Sequence, residues 1–140
     1  MEIDGLEYQC FISKFNEGIK EESNYARIRV TDIERTILDC INKINVAGGL
    51  EEVVDAIYMI KYLDKDKLLR YLNGFDIKVL YKKVGYLFQY VNPKYISDNF
   101  YKICKERMSK RKDYLTRYMD EEYNKEWMIY HPKYITNEEF

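Results

Sequence analysis

The sequence predicts an α+β domain: about five central helices with short flanking antiparallel strands from the N- and C-terminal segments. Three observations lead there. Over residues 32–108 apolar residues recur at helical spacing. Residues 6–31 and 113–132 instead alternate and are rich in aromatic and β-branched side chains. Finally, 140 residues with 46% hydrophobic content suit one domain with a real core, and no linker or repeat divides the chain. We expect a frayed tail at 133–140.

"YQCFISKF" (8–15) and "NYARIRV" (24–30) read as the first two strands, with the polar stretch "NEGIKEES" (16–23) as the turn between them. At the next junction, Thr31 and Glu34 have the S/T-x-x-E spacing of a capping box: the hydroxyl accepts a first-turn amide and the carboxylate reaches back to the cap amide. Ile33, Ile37, Leu38, Ile41 and Ile44 then form one buried stripe. Arg35 and Asp39 sit one turn apart, an exposed-face pair worth ~0.2–0.5 kcal/mol. Gly48 or Gly49 supplies the positive-φ residue that ends this helix.

A second helix spans about 50–62 and turns Val53, Val54 and Ile57 inward. A third covers about 65–73, with Gly74 after its end. The fourth, about 76–91, buries Val79, Leu80, Val84, Leu87, Phe88 and Val91 and stops at Asn92-Pro93. The fifth, about 96–108, uses Phe100, Ile103 and Cys104. "YLTRYM" (114–119) and "KEWMIYHP" (125–132) then read as strands around the acidic turn "DEEYN" (120–124).

Net charge is −1, so the whole molecule exerts no general pull on polyanions. Residues 1–70 carry 10 Lys/Arg against 14 Asp/Glu and residues 71–140 carry 13 against 10, which makes any polyanion surface local. Cys10, Cys40 and Cys104 form no CxxC pair and no complete disulfide framework. The N-terminus lacks signal-peptide features and no run reaches a membrane span. The expected setting is the cytoplasm, with no membrane association. We read the 15 tyrosines as amphipathic core and rim residues, although an excess of that size also suits base stacking.

Catalytic and metal sites are not expected. His131 has no second ligand at metal spacing, and the carboxylate pairs Asp32/Glu34, Asp64/Asp66 and Glu121/Glu122 fall where caps or solvated turns predict them. "AGG" (47–49) lacks the Lys-Ser/Thr of a phosphate loop, and no cofactor is implied. Two basic groups remain as candidate partner-binding surface. The first is Arg70, Lys78, Lys82 and Lys83; the second is Lys102, Lys105, Lys110 and Arg111 with Arg107 and Lys112.

"VTDIERTILDC" (30–40) with "AGGLEEVVDAI" (47–57) resembles the central signature of the AbiEi family of antitoxins, from bacterial abortive-infection (type IV) toxin–antitoxin systems. "KKVGYLFQYV" (82–91) resembles the basic-then-"LGYLL" helix of that family, with Val84 in place of Leu. "YLTRYMDEEYNKEWMIYHP" (114–132) is similar to its closing Trp-bearing hairpin. The resemblance implies a single non-enzymatic antitoxin-like domain over 1–140, acting in phage defence against a nucleotidyltransferase-like toxin. The family also carries an N-terminal winged helix that represses its own operon. The pattern here begins almost at Met1, so operator binding is not carried over. Through their motif, Lys82 and Lys83 inherit the family's basic functional surface. The other reading is a nucleic-acid-binding transcriptional regulator that uses the local basic surface. Oligomeric state is not legible.

Overall fold

The computed structural model describes residues 2–3, 6–7, 19–22, 28–94, 96–116 and 122–133. Two short antiparallel pairs open it: β1 (Glu2–Ile3) with β2 (Leu6–Glu7), and β3 (Ile19–Glu22) with β4 (Ile28–Thr31). Ile19–Glu22 is therefore strand where the polar stretch predicted a turn. Its register sets Glu21 opposite Arg29. The predicted strand at 8–15 lies outside the described residues, as does the first part of the second, 24–27.

Five helices follow: α1 (Ile33–Asn42), α2 (Leu50–Met59), α3 (Lys65–Phe75), α4 (Lys78–Val91) and α5 (Asp98–Arg107). The α+β class is as the sequence predicts. Helix α1 packs on α2, α3 and α4, and α4 also packs on α2 and α5, so α4 is central. Its residues Val84 to Phe88 are all buried; Tyr81, Gly85 and Tyr86 join the expected apolar set, while Val79 and Val91, expected to be buried, are half-buried. Five consecutive buried residues cover more than a full turn, so the middle of α4 has neighbours all round rather than one core face, while Lys78, Gln89 and Tyr90 towards its ends are exposed.

Several ends differ from their predicted places. Asp32, not Thr31, caps α1, its Oδ1 accepting from Arg35 N at 2.9 Å, while Thr31 closes β4. Glu34 is no part of a reciprocal box, because its carboxylate is turned inward. At that level of the helix Glu34 takes the interior position and Ile33, expected in the stripe, is 47% exposed. The Arg35–Asp39 pair forms at 3.2 Å, yet Arg35 is buried rather than on an exposed face, its guanidinium 4.6 Å from the Phe75 ring centroid. Gly48 and Gly49 both adopt φ of 101°, but neither ends α1, which stops at Asn42 with Lys43 as its cap; Gly49 instead stands at the N-cap of α2. Helix α3 runs through Gly74 to Phe75 and ends on left-handed Asp76.

The C-terminal segment forms a three-stranded sheet: β5 (Asp113–Tyr114), β6 (Glu122–Asn124) and β7 (Ile129–His131), in the order β5-β7-β6. It is mixed rather than antiparallel, since β5 runs parallel to β7 and β6 antiparallel to it. Of "YLTRYM", Tyr114 is in strand and 117–119 lie outside the described residues. The turn also falls later than expected. Asn124 Oδ1 accepts from Trp127 N at 2.9 Å, a side-chain turn that moves the reversal to 125–128 and leaves 122–124 as strand. The expected frayed tail beyond Lys133 lies outside the described residues.

Cys40 and Cys104 are free thiols; Cys10 lies outside the described residues. Burial pushes the Cys104 thiol up to about 12, against the opposing pull of Arg107. Thiolate is the reactive form, so Cys104 is expected to resist aromatic disulfide reagents at pH 8 until the chain unfolds. A Cys10→Ser/Cys40→Ser variant isolates it; rapid labelling of that variant without denaturant contradicts the burial.

Candidate functional site

The acidic junction comes first, because carboxylates near a basic residue can do acid–base work. Asp32 Oδ2 accepts from the Tyr71 hydroxyl at 2.5 Å, and Glu34 Oε2 accepts from Asp64 N at 3.0 Å. Lys67 Nζ stands 3.9 Å from Asp32 and 4.0 Å from Glu34. Asp64 in turn caps α3 by accepting from the amides of Asp66 and Lys67. Glu34 thus ties the start of α1 to the start of α3, and Asp32 ties it to Tyr71 further along α3. Burial, then the Asp32 carboxylate, pushes the Tyr71 hydroxyl up and keeps it a donor. Among the described residues, no three His, Cys, Asp or Glu side chains gather at metal-binding spacing.

The basic candidates divide into three groups. Arg70, Lys78 and Lys102 are exposed, on α3, the start of α4 and α5 respectively. Lys82, Lys105, Lys110 and Arg111 are brought together where the C-terminal segment meets α4 and α5. Lys83 faces elsewhere, into a cleft.

Lys82 does not lie on the expected basic surface: it is fully buried. Its ammonium donates to Arg111 O at 2.5 Å and to Asp113 Oδ2 at 2.8 Å, and Ser109 Oγ donates to the same carboxylate oxygen. Burial pushes the Asp113 carboxyl up, but hydrogen bonds from Lys82 and Ser109 and the charges of Lys82 and Arg111 outweigh it and hold it below its ordinary value. A turn along α4, the Trp127 ring lies over Gly85, where an added Cβ would fall 2.2 Å from the indole. One further turn on, Gln89 accepts from the indole N–H at 2.5 Å. Lys105 pairs with Glu126 and sits 5.1 Å from the Trp127 ring centroid, and Lys110 donates to Lys105 O at 2.6 Å. The motif Lys82–Gly85–Gln89 is therefore a strip on one face of α4 that seats the closing sheet.

The opposite face of that sheet carries a tyrosine from each strand. The register pairs Tyr114 with Tyr130 and Tyr123 with Tyr130, and period-two alternation puts all three on one side. Tyr114 and Tyr130 stack with centroids 4.9 Å apart and planes 19° apart; Tyr123 and Tyr130 are 4.8 Å apart and tilted. Lys112 Nζ stands 5.2 Å from the Tyr123 ring centroid. Ile129 and Leu115 face the core on the other side, and His131 stacks on Tyr86 of α4 at 5.1 Å. His131 Nδ1 donates to the Pro132 carbonyl at 2.8 Å.

Tyr114, 55% exposed, also borders a cleft of about 550 Å³ between the end of α1, α4 and β5. Asn42, Lys43, Asn45, Lys83 and Thr116 supply its polar lining, and the described lining includes no carboxylate. Sequence reasoning missed Lys43, Asn45 and this tyrosine ladder. The available signal was the tyrosine at the centre of "DYL", "EYN" and "IYH" (113–115, 122–124, 129–131), three strand triplets with matching alternation. No helix of the described residues is long and apolar enough to cross a membrane. No family model, no curated protein and no solved structure matches this chain.

Proposed function

We propose that the chain is a non-enzymatic, cytoplasmic antitoxin domain that neutralises a nucleotidyltransferase-like toxin of a bacterial abortive-infection system. One observation carries the reading: the three stretches that resemble AbiEi antitoxins, distant in sequence, are parts of one body built around α4. Residues 30–40 and 47–57 supply α1 and α2, residues 82–91 supply α4, and the closing stretch seats on α4 through Gly85 and Gln89, with Lys82 holding Asp113 just ahead of it. The acidic side chains of the first motif serve as helix caps and inter-helix ties, which leaves exposed cations such as Lys78 and Lys102 as contact groups.

Co-expression tests this directly. Cells producing a nucleotidyltransferase-like protein from the same operon are expected to grow when this chain is present and to arrest without it. A Lys78→Glu/Lys102→Glu variant is expected to lose protection while melting like the parent, because both side chains are exposed. Continued arrest in the presence of soluble parent chain refutes the proposal.

A further inference from the structure

We infer that the cleft beside Tyr114 binds single-stranded nucleic acid, with one base continuing the tyrosine stack and adjacent phosphates drawn to Lys43 and Lys83. This inference stands apart from the antitoxin reading and from the exposed cations at Lys78 and Lys102.

Tyr114 occupies the end of the ladder, on edge strand β5, with one ring face against Tyr130. It remains more than half exposed and lines the cleft, so it offers a flat aromatic surface at the side of an open groove. Every base has a π-face, which makes such stacking tolerant of sequence. The tyrosine is also held in place: the Asp113 and Leu115 amides donate to Met128 O and Tyr130 O, and Leu115 is buried in the core. A platform fixed in this way loses little freedom when a ring settles on it.

Charge complements the stack. The cleft's described lining carries two lysines and no carboxylate, in a molecule whose net charge is −1. Asn42, Asn45 and Thr116 add donors and acceptors suited to base edges or sugar hydroxyls. Double-stranded DNA keeps its bases stacked inside the helix, so a flat ring beside a cleft selects an unpaired strand.

The test is fluorescence anisotropy with 5′-labelled octamers of adenylate, as RNA, as DNA and as the DNA duplex. Both single strands are expected to bind at low salt, with the duplex weaker. A stronger RNA signal assigns the ligand to RNA, and an equal or stronger DNA signal assigns it to single strands of either sugar. Tyr114→Ala is expected to raise Kd about 5- to 100-fold, the range for removing one base-stacking ring, while Tyr114→Phe retains binding. Lys43→Gln is expected to flatten the log–log salt dependence by about 0.7, the slope for one phosphate contact on a single strand. Lys43 is an exposed residue, so its variant reports on binding even if Tyr114→Ala disturbs the edge strand. Absence of single-strand binding at low salt, duplex binding as tight as single-strand binding, or unchanged affinity in both Tyr114→Ala and Lys43→Gln overturns the inference.

Discussion

Lys82→Met is expected to destabilise the domain by about 3 kcal/mol, the low end of the cost of removing one partner from a buried ion pair. In the parent, the ammonium satisfies the Arg111 carbonyl and the Asp113 carboxylate together. Methionine fills the volume but leaves Asp113 with Ser109 and the largely exposed Arg111. For a domain of this size, that loss lowers the melting temperature by roughly 10 °C. Adding Asp113→Asn is expected to recover part of it, because the uncompensated charge is then gone. Acid removes the effect too. Asp113 titrates below its ordinary value in the folded state, so its contribution is full above the unfolded value and falls as pH drops through the folded one. The gap between parent and variant therefore narrows below about pH 4. Thermal melts from pH 7 to pH 3 measure it, and a Lys82→Met protein as stable as the parent at pH 7 refutes the assignment.

The second large effect belongs to the contact of Gly85 with Trp127. Alanine normally improves a helix over glycine by about 1 kcal/mol. Here its Cβ would fall 2.2 Å from Cη2 and 2.3 Å from Cζ3 of an indole that is fully buried and anchored by Gln89. Overpacking of that kind costs about 1–3 kcal/mol or more, so Gly85→Ala is expected to destabilise by about 2 kcal/mol net. Trp127→Ala is expected to lose about 3–5 kcal/mol by emptying the largest buried side chain. The decisive measurement is the sign of Gly85→Ala in a Trp127→Leu background. With the ring removed, alanine is expected to stabilise. If it destabilises equally in both backgrounds, the steric account fails, since a double-mutant cycle then finds no coupling.

The helical layer was legible because its signals are local. Periodic Ile, Leu and Val residues and the Asn92-Pro93 stop each act within a few residues of chain, whereas the glycines at 48 and 49, expected to end α1, lie beyond its cap at Lys43. Where the reading failed, distant partners decided the outcome. Nothing near Lys82 in sequence says that Asp113 will lie over it, so a lysine one turn from Lys78 read as solvated surface. Glu34 similarly has the spacing of a capping box, yet the Asp64 amide, 30 residues away, claims its carboxylate. Nothing local marks Gly85 as the seat for a ring that lies 42 residues further along the chain. The tyrosine ladder depends on strand register and on a parallel pairing that alternation alone does not specify.

The strip on α4 also sets an order of events during synthesis. Helix α4 leaves the ribosome well before Trp127 and Ile129, a delay on the order of seconds at ordinary elongation rates. Through that interval Gly85 and its neighbours present an uncovered seat, and Lys82 meets water instead of Asp113. The nascent chain thus displays a site that later residues of the same molecule will occupy. Until they arrive it is open to chaperones, or to the closing segment of another copy.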